Sequence, residues 1–126
     1  RPDIKVVATE PEAARLLDGQ DWSPHKIQGW TPDFIPVVLN RDIYDLLIPV
    51  SDDAAISNAR ALAHEEGIFC GISSGATLAA ALKVAETAEP GSVFLVMLPD
   101  TGERYLSTPL FEGVNEGSDD EWLDGL

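Results

Sequence analysis

Five residues, Gly71-Ile72-Ser73-Ser74-Gly75, form a G-x-S-x-G pattern between a short apolar run and an Ala/Leu-rich segment. A serine on such a strand–turn–helix bend can act as a nucleophile if a base follows it in the chain. Both histidines, His25 and His64, precede Ser73, and His64 falls on the polar side of a helical pattern. A serine hydrolase is therefore disfavoured. Two readings of the bend stand. In one, Ser73 or Ser74 caps the following helix, which alone contributes roughly 1 kcal/mol. In the other, glycines and a hydroxyl at a helix N-terminus receive a polar ligand group. Spacing alone does not separate them.

The remaining reactive side chains read as structural. Cys70 adjoins the bend, and a lone cysteine in a buried run is a small hydrophobe. Two histidines and scattered acids lack zinc-like ligand spacing, so no metal is expected. Asp52 and Asp53 follow Ser51 at a helix start, where the dipole favours acids. Glu103-Arg104 reads as a local ion pair.

The elements that position these residues follow from hydropathy. Ile4-Lys5-Val6-Val7-Ala8-Thr9 is short and β-branched and predicts a buried strand. Pro11 is placed to open a short helix over residues 12–17, and Asp18-Gly19-Gln20 ends it. Residues 21–31 show no clean period and predict a long loop, which in a compact domain is often functional. A short helix is expected over 34–39. Leu46-Leu47-Ile48-Pro49-Val50 predicts a second strand. A helix with Ser51 as cap and Gly67 as stop follows it, with Ile56, Ala59, Leu62 and Ala63 at helical spacing. Ile68-Phe69-Cys70 predicts a third strand, residues 76–88 a helix, and residues 92–98 a fourth strand covered on both faces. Strands alternating with helices imply an α/β fold: an open, parallel, Rossmann-like sheet with helices on both faces. Ligands bind such sheets at the carboxyl ends of the strands. That rule selects three loops, 21–31, 71–75 and 99–108.

Composition sets outer bounds. The chain has 126 residues, 44% apolar, with 8 Lys+Arg against 22 Asp+Glu and a formal charge of −14. One globular domain, or a piece of one, fits that length and apolar content. The charge argues against a nucleic-acid grip and against docking on anionic lipid, since both need basic patches. No apolar run approaches the roughly 18–20 residues of a membrane span. A single cysteine excludes an intrachain disulfide and fits a reducing, cytoplasmic setting. The first residues do not read as a signal peptide; they read as a chain already in mid-fold. Residues 112–126 carry six acids and no base, and predict a solvated tail that Trp122 and Leu123 can dock.

Taken together, the loops resemble a known family. Pro24-His25-Lys26-Ile27-Gln28-Gly29, Phe34-Ile35-Pro36, Glu65-Glu66-Gly67-Ile68, Gly71-Ile72-Ser73-Ser74-Gly75-Ala76, and Leu98-Pro99-Asp100 with Gly102-Glu103-Arg104-Tyr105-Leu106-Ser107-Thr108 resemble cysteine synthase, also called O-acetylserine sulfhydrylase. The likeness runs from Lys5 to Phe111, and several motifs in the right order make it specific. It implies that residues 1–111 are the C-terminal part of a catalytic domain of the tryptophan-synthase β fold (fold-type II). Such a domain uses pyridoxal 5'-phosphate to replace the acetate of O-acetyl-L-serine with sulfide, giving L-cysteine. The family is typically a homodimer, and it takes the C-terminal tail of serine acetyltransferase into its active site.

By the same resemblance, Ser73 matches the serine that hydrogen-bonds the pyridine nitrogen of the cofactor. A hydroxyl there leaves the ring less electron-withdrawing than a carboxylate would, which suits β-elimination. Pro99 and Asp100 match the segment passing the same ring edge. Gln28 and Gly29, continuing into Trp30 and Thr31, match the loop that borders the substrate. Where the family most often reads Gly-Ile-Gly-Ala-Gly, this chain follows Gly29 with Trp30-Thr31-Pro32-Asp33, so the preferred acceptor or nucleophile is open. The family's Schiff-base lysine, its substrate-carboxylate loop and its phosphate cradle lie upstream of Arg1 on this alignment. Lys5, Lys26 and Lys83 are not in the lysine motif, so no catalytic residue is placed within these 126 residues, and alone they should be inactive. Two other readings are a cystathionine β-synthase-like enzyme and a non-catalytic binding module for a partner such as serine acetyltransferase.

Overall fold

The computed structural model describes residues 1–114. The dock expected for Trp122 and Leu123, with most of the acidic tail, lies outside them. Two parallel strands, β1 (Val7–Pro11) and β2 (Leu46–Val50), pair in register from Val7 with Leu46 to Pro11 with Val50. Two helices, α1 (Asp52–Glu66) and α2 (Ile72–Ala85), follow, and two short 3-10 turns, Gly102–Tyr105 and Pro109–Phe111, close the described chain. The α/β class and the parallel pairing agree with the alternation in the sequence.

β1 begins three residues later than expected because Val6 is already engaged. Its N–H donates to Asp45 Oδ2 at 2.8 Å, and its carbonyl accepts from Asp45 N at 2.8 Å. The short helix expected over 12–17 does not form. Glu10 captures the Leu17 N–H at 2.9 Å, Ala14 bridges Trp22, and the Gln20 N–H goes to the Arg15 carbonyl, so the backbone groups are spent in turns. The helix expected over 34–39 is also absent. Pro36 disfavours the helical conformation at Ile35, and the Leu39 N–H closes a turn on Pro36.

α1 forms where expected. Ser51 Oγ accepts from Ala54 N at 3.2 Å, Asp52 and Asp53 occupy the first turn, and Gly67 ends the helix at φ 68°. α2 starts at Ile72, four residues before the predicted position. Gly71 is its cap residue, so Ser73, Ser74 and Gly75 are helical, and their side chains are set by the helix rather than by a bend. The two helices pack through small residues. Ala55, Ala59 and Ala76 are buried, and Gly75 lies directly against the α1 backbone.

The third and fourth strands are not part of a ladder among the described residues. Cys70 makes a lone antiparallel bridge to Thr101, with Gly102 N donating to Phe69 O at 3.2 Å. Residues 92–98 form no strand there, and Val93, Leu95 and Met97 are exposed, so the run is not covered on both faces as expected. The continuous apolar run is strand-like, but pairing depends on a neighbour that the run does not specify. Arg60 of α1 ties down the last turn, donating to the carbonyls of Pro109, Leu110 and Glu112.

Glu10 is buried on β1, with Oε2 bonded to Leu17 N and Oε1 without a partner among the described residues. Burial pushes its carboxyl above the ordinary value of 4.5. A raised carboxyl stabilises the fold in acid and loses that contribution as pH rises through the folded value. Glu10→Gln in the intact protein should therefore gain stability relative to the native protein as pH rises above 4.5. Urea midpoints measured across that range check this; parallel profiles for the two proteins would refute it.

Candidate functional site

Ser73 sits in the first turn of α2 and is nearly buried, and Thr77 follows one turn later on the same face. The Thr77 hydroxyl lies 2.6 Å from the Met97 carbonyl and 2.9 Å from that of Ser74, which ties α2 to the extended segment ahead of Pro99. The N-terminus of α2 has no side-chain cap and no acid in its first turn, so its leading N–H groups are not satisfied by a side chain.

The 99–108 loop closes on that turn. Gly71 N donates to Asp100 O at 3.2 Å. A side chain at Gly71 would collide with the Asp100 carboxylate and, at 2.5 Å, with the Tyr105 ring. Asp100 Oδ2 accepts from Tyr105 OH at 2.5 Å, and this bond is the main reason the phenol's pKa is raised. Asp100 Oδ1 and Ser74 Oγ are both buried without a partner among the described residues. Burial also pushes the Cys70 thiol up, keeping it protonated, in keeping with its reading as a small hydrophobe.

The 21–31 loop reaches the same side. Gly29, Trp30, Thr31 and Pro32 line a cavity of about 490 Å³ whose walls include Thr77 and Pro99. Gln28 is not in that lining, whereas its neighbour Ile27 is fully buried and anchors the loop in the core. Two of the three selected loops therefore meet at the first turn of α2, and the third shares a cavity with the helix one turn on. The lysines lie elsewhere. Lys5 precedes β1, 4.0 Å from Asp45; Lys26 borders an acidic hollow with Glu12, Asp52 and Asp53; Lys83 is in the last turn of α2. Tyr105 was visible only as part of a motif, and the i, i+4 spacing from Ser73 was the available signal for Thr77.

These surroundings suit the nitrogen-bearing edge of a heteroaromatic ring. They offer two buried hydroxyls, on Ser73 and Ser74, in a helix turn without a side-chain cap, beside an Asp100 carboxylate held by Tyr105. The pyridoxal-phosphate dependent enzyme family matches residues 1–100. O-ureido-L-serine synthase of Streptomyces lavendulae is 57% identical over all of this chain and 39% of its own length. Cysteine synthase of Staphylococcus aureus is 49% identical over 87% of this chain and 36% of its own. The crystal structure of an O-ureido-L-serine synthase, 57% identical, superposes with a TM-score of 0.91 over 98% of this chain and 39% of that one.

The chain belongs to the pyridoxal-phosphate dependent enzymes, with the α/β fold of fold-type II. Within them it fits the group that contains cysteine synthase and O-ureido-L-serine synthase. It spans about two fifths of the length of these relatives.

Proposed function

We propose that this chain is the C-terminal portion of an enzyme that replaces the acetate of O-acetyl-L-serine with a nucleophile, sulfide in the first reading, giving L-cysteine. The observation that carries this is the near-buried Ser73 hydroxyl in an otherwise uncapped first turn of α2. Pyridoxal phosphate, when bound, supplies an electron sink for negative charge at the substrate's α-carbon. Ser73 would hold the ring nitrogen by a hydrogen bond without contributing a charge. Pro99 and Asp100 would flank the same edge, and Tyr105 fixes the Asp100 carboxylate. Gly29, Trp30 and Thr31 line the cavity and would border the incoming nucleophile, with Gln28 outside that lining. The same reading carries a cytoplasmic homodimer able to take the tail of serine acetyltransferase.

A second reading changes the nucleophile. The identity of 57% over the whole chain to an O-ureido-L-serine synthase favours it. O-ureido-L-serine differs from L-cysteine at the β-substituent, where the oxygen of a hydroxyurea replaces sulfur. The test is to supply the intact protein with O-acetyl-L-serine and either sulfide or hydroxyurea, and to identify products by mass. One acetate should be released per β-replaced product, and the better nucleophile decides between the readings. No product with either would leave a non-catalytic module.

A further inference from the structure

Thr31 is the only residue other than glycine with positive φ among the described residues, at 35°. A β-branched residue in that region is strained, by about 1–2 kcal/mol, and persists only where its surroundings hold it. Its carbonyl is held from two sides. Trp22 Nε1 donates to it at 3.1 Å, and His25 Nε2 lies 3.4 Å from the same oxygen. The indole can only donate, and the imidazole donates when a proton is on Nε2, so one oxygen can accept from both. His25 Nδ1 is buried with no partner among the described residues, so the second ring nitrogen is not engaged elsewhere.

Both donors are themselves anchored. Trp22 bridges the buried Ala14, with Ser23 N donating to Ala13 O at 2.9 Å. Next to His25, Lys26 N donates to Asp52 Oδ2 at 2.9 Å, and Ile27 is fully buried. Between these anchors the chain turns sharply at Gly29, at φ 85°, and again at Thr31, with Trp30 between them packed on the core and forming a cavity wall.

We propose that Trp22 and His25 are positioning residues that latch the Thr31 carbonyl, fix the Trp30 wall, and thereby set which nucleophile the site accepts. This rests on the β-replacement reading. The latch acts on the loop, not on the α2 end of the site, so it governs the entry of the nucleophile and leaves the release of acetate from O-acetyl-L-serine untouched.

The test uses the intact holoenzyme. Trp22→Phe keeps the ring and removes the N–H. It should raise the KM for the nucleophile about fivefold, the loss expected for one hydrogen bond, with acetate release unchanged. It should also narrow the preference for small over bulky thiols and speed amide hydrogen exchange over residues 29–33. Thr31→Gly removes the strain that the latch opposes, so the Trp22→Phe/Thr31→Gly pair should bring the KM back toward the native value. Unchanged nucleophile preference and unchanged exchange in Trp22→Phe would overturn the proposal, as would failure of the pair to recover. If the native enzyme gives no β-replaced product, the function reading fails, and the exchange arm still decides whether the latch exists.

Discussion

Gly75→Ala is expected to lower the denaturation midpoint of the intact protein, with a loss of about 1–3 kcal/mol or more. A Cβ at Gly75 would fall on the Ala55 carbonyl oxygen, 2.5 Å from Ala59 N and 2.8 Å from Ala59 Cβ. Two of these three atoms are backbone, so no rotamer change relieves the clash; the helices must separate. Alanine gains about 1 kcal/mol of helix propensity over glycine, which is too little to offset that separation. Because α2 carries Ser73 two residues before the contact, the bound cofactor's visible absorbance should shift as well. A midpoint at or above that of the native protein would show that the crossing of α1 and α2 is looser than described.

Ser73→Asp is the second large effect. A carboxylate in the first turn of α2 is well placed with respect to the helix dipole, so it should be ionised and should hold a proton on the ring nitrogen. Steady-state β-replacement should fall about tenfold or more, equivalent to roughly 1.4 kcal/mol in the barrier, and the cofactor absorbance should move. Ser73→Ala separates charge from hydrogen bonding, because it removes the hydroxyl and adds no charge. Unchanged rates and an unshifted spectrum in Ser73→Asp would place the side chain away from the ring.

α1 was legible because everything that defines it is local: Ser51 before two aspartates, apolar residues at helical spacing, and Gly67 where the chain must turn left-handed. Ser73 stands out in the sequence as a candidate through its flanking glycines and motif, but the sequence sets it in a bend and the structure sets it in a helix. What was not legible depends on partners distant in sequence. Glu10 takes the Leu17 N–H and dissolves the helix expected there. The 92–98 run is apolar throughout, like a covered strand, but has no ladder among the described residues. Tyr105 on Asp100, and Trp22 and His25 on Thr31, are side-chain bonds across loops for which no periodicity exists.

The most direct measurement is the nitrogen-15 chemical shift of ring-labelled pyridoxal phosphate in the intact holoenzyme, compared between the native protein and Ser73→Asp. The account predicts an unprotonated, hydrogen-bonded pyridine nitrogen in the native protein and a protonated one in the variant. A protonated nitrogen in the native protein, or the same shift in both, would contradict it.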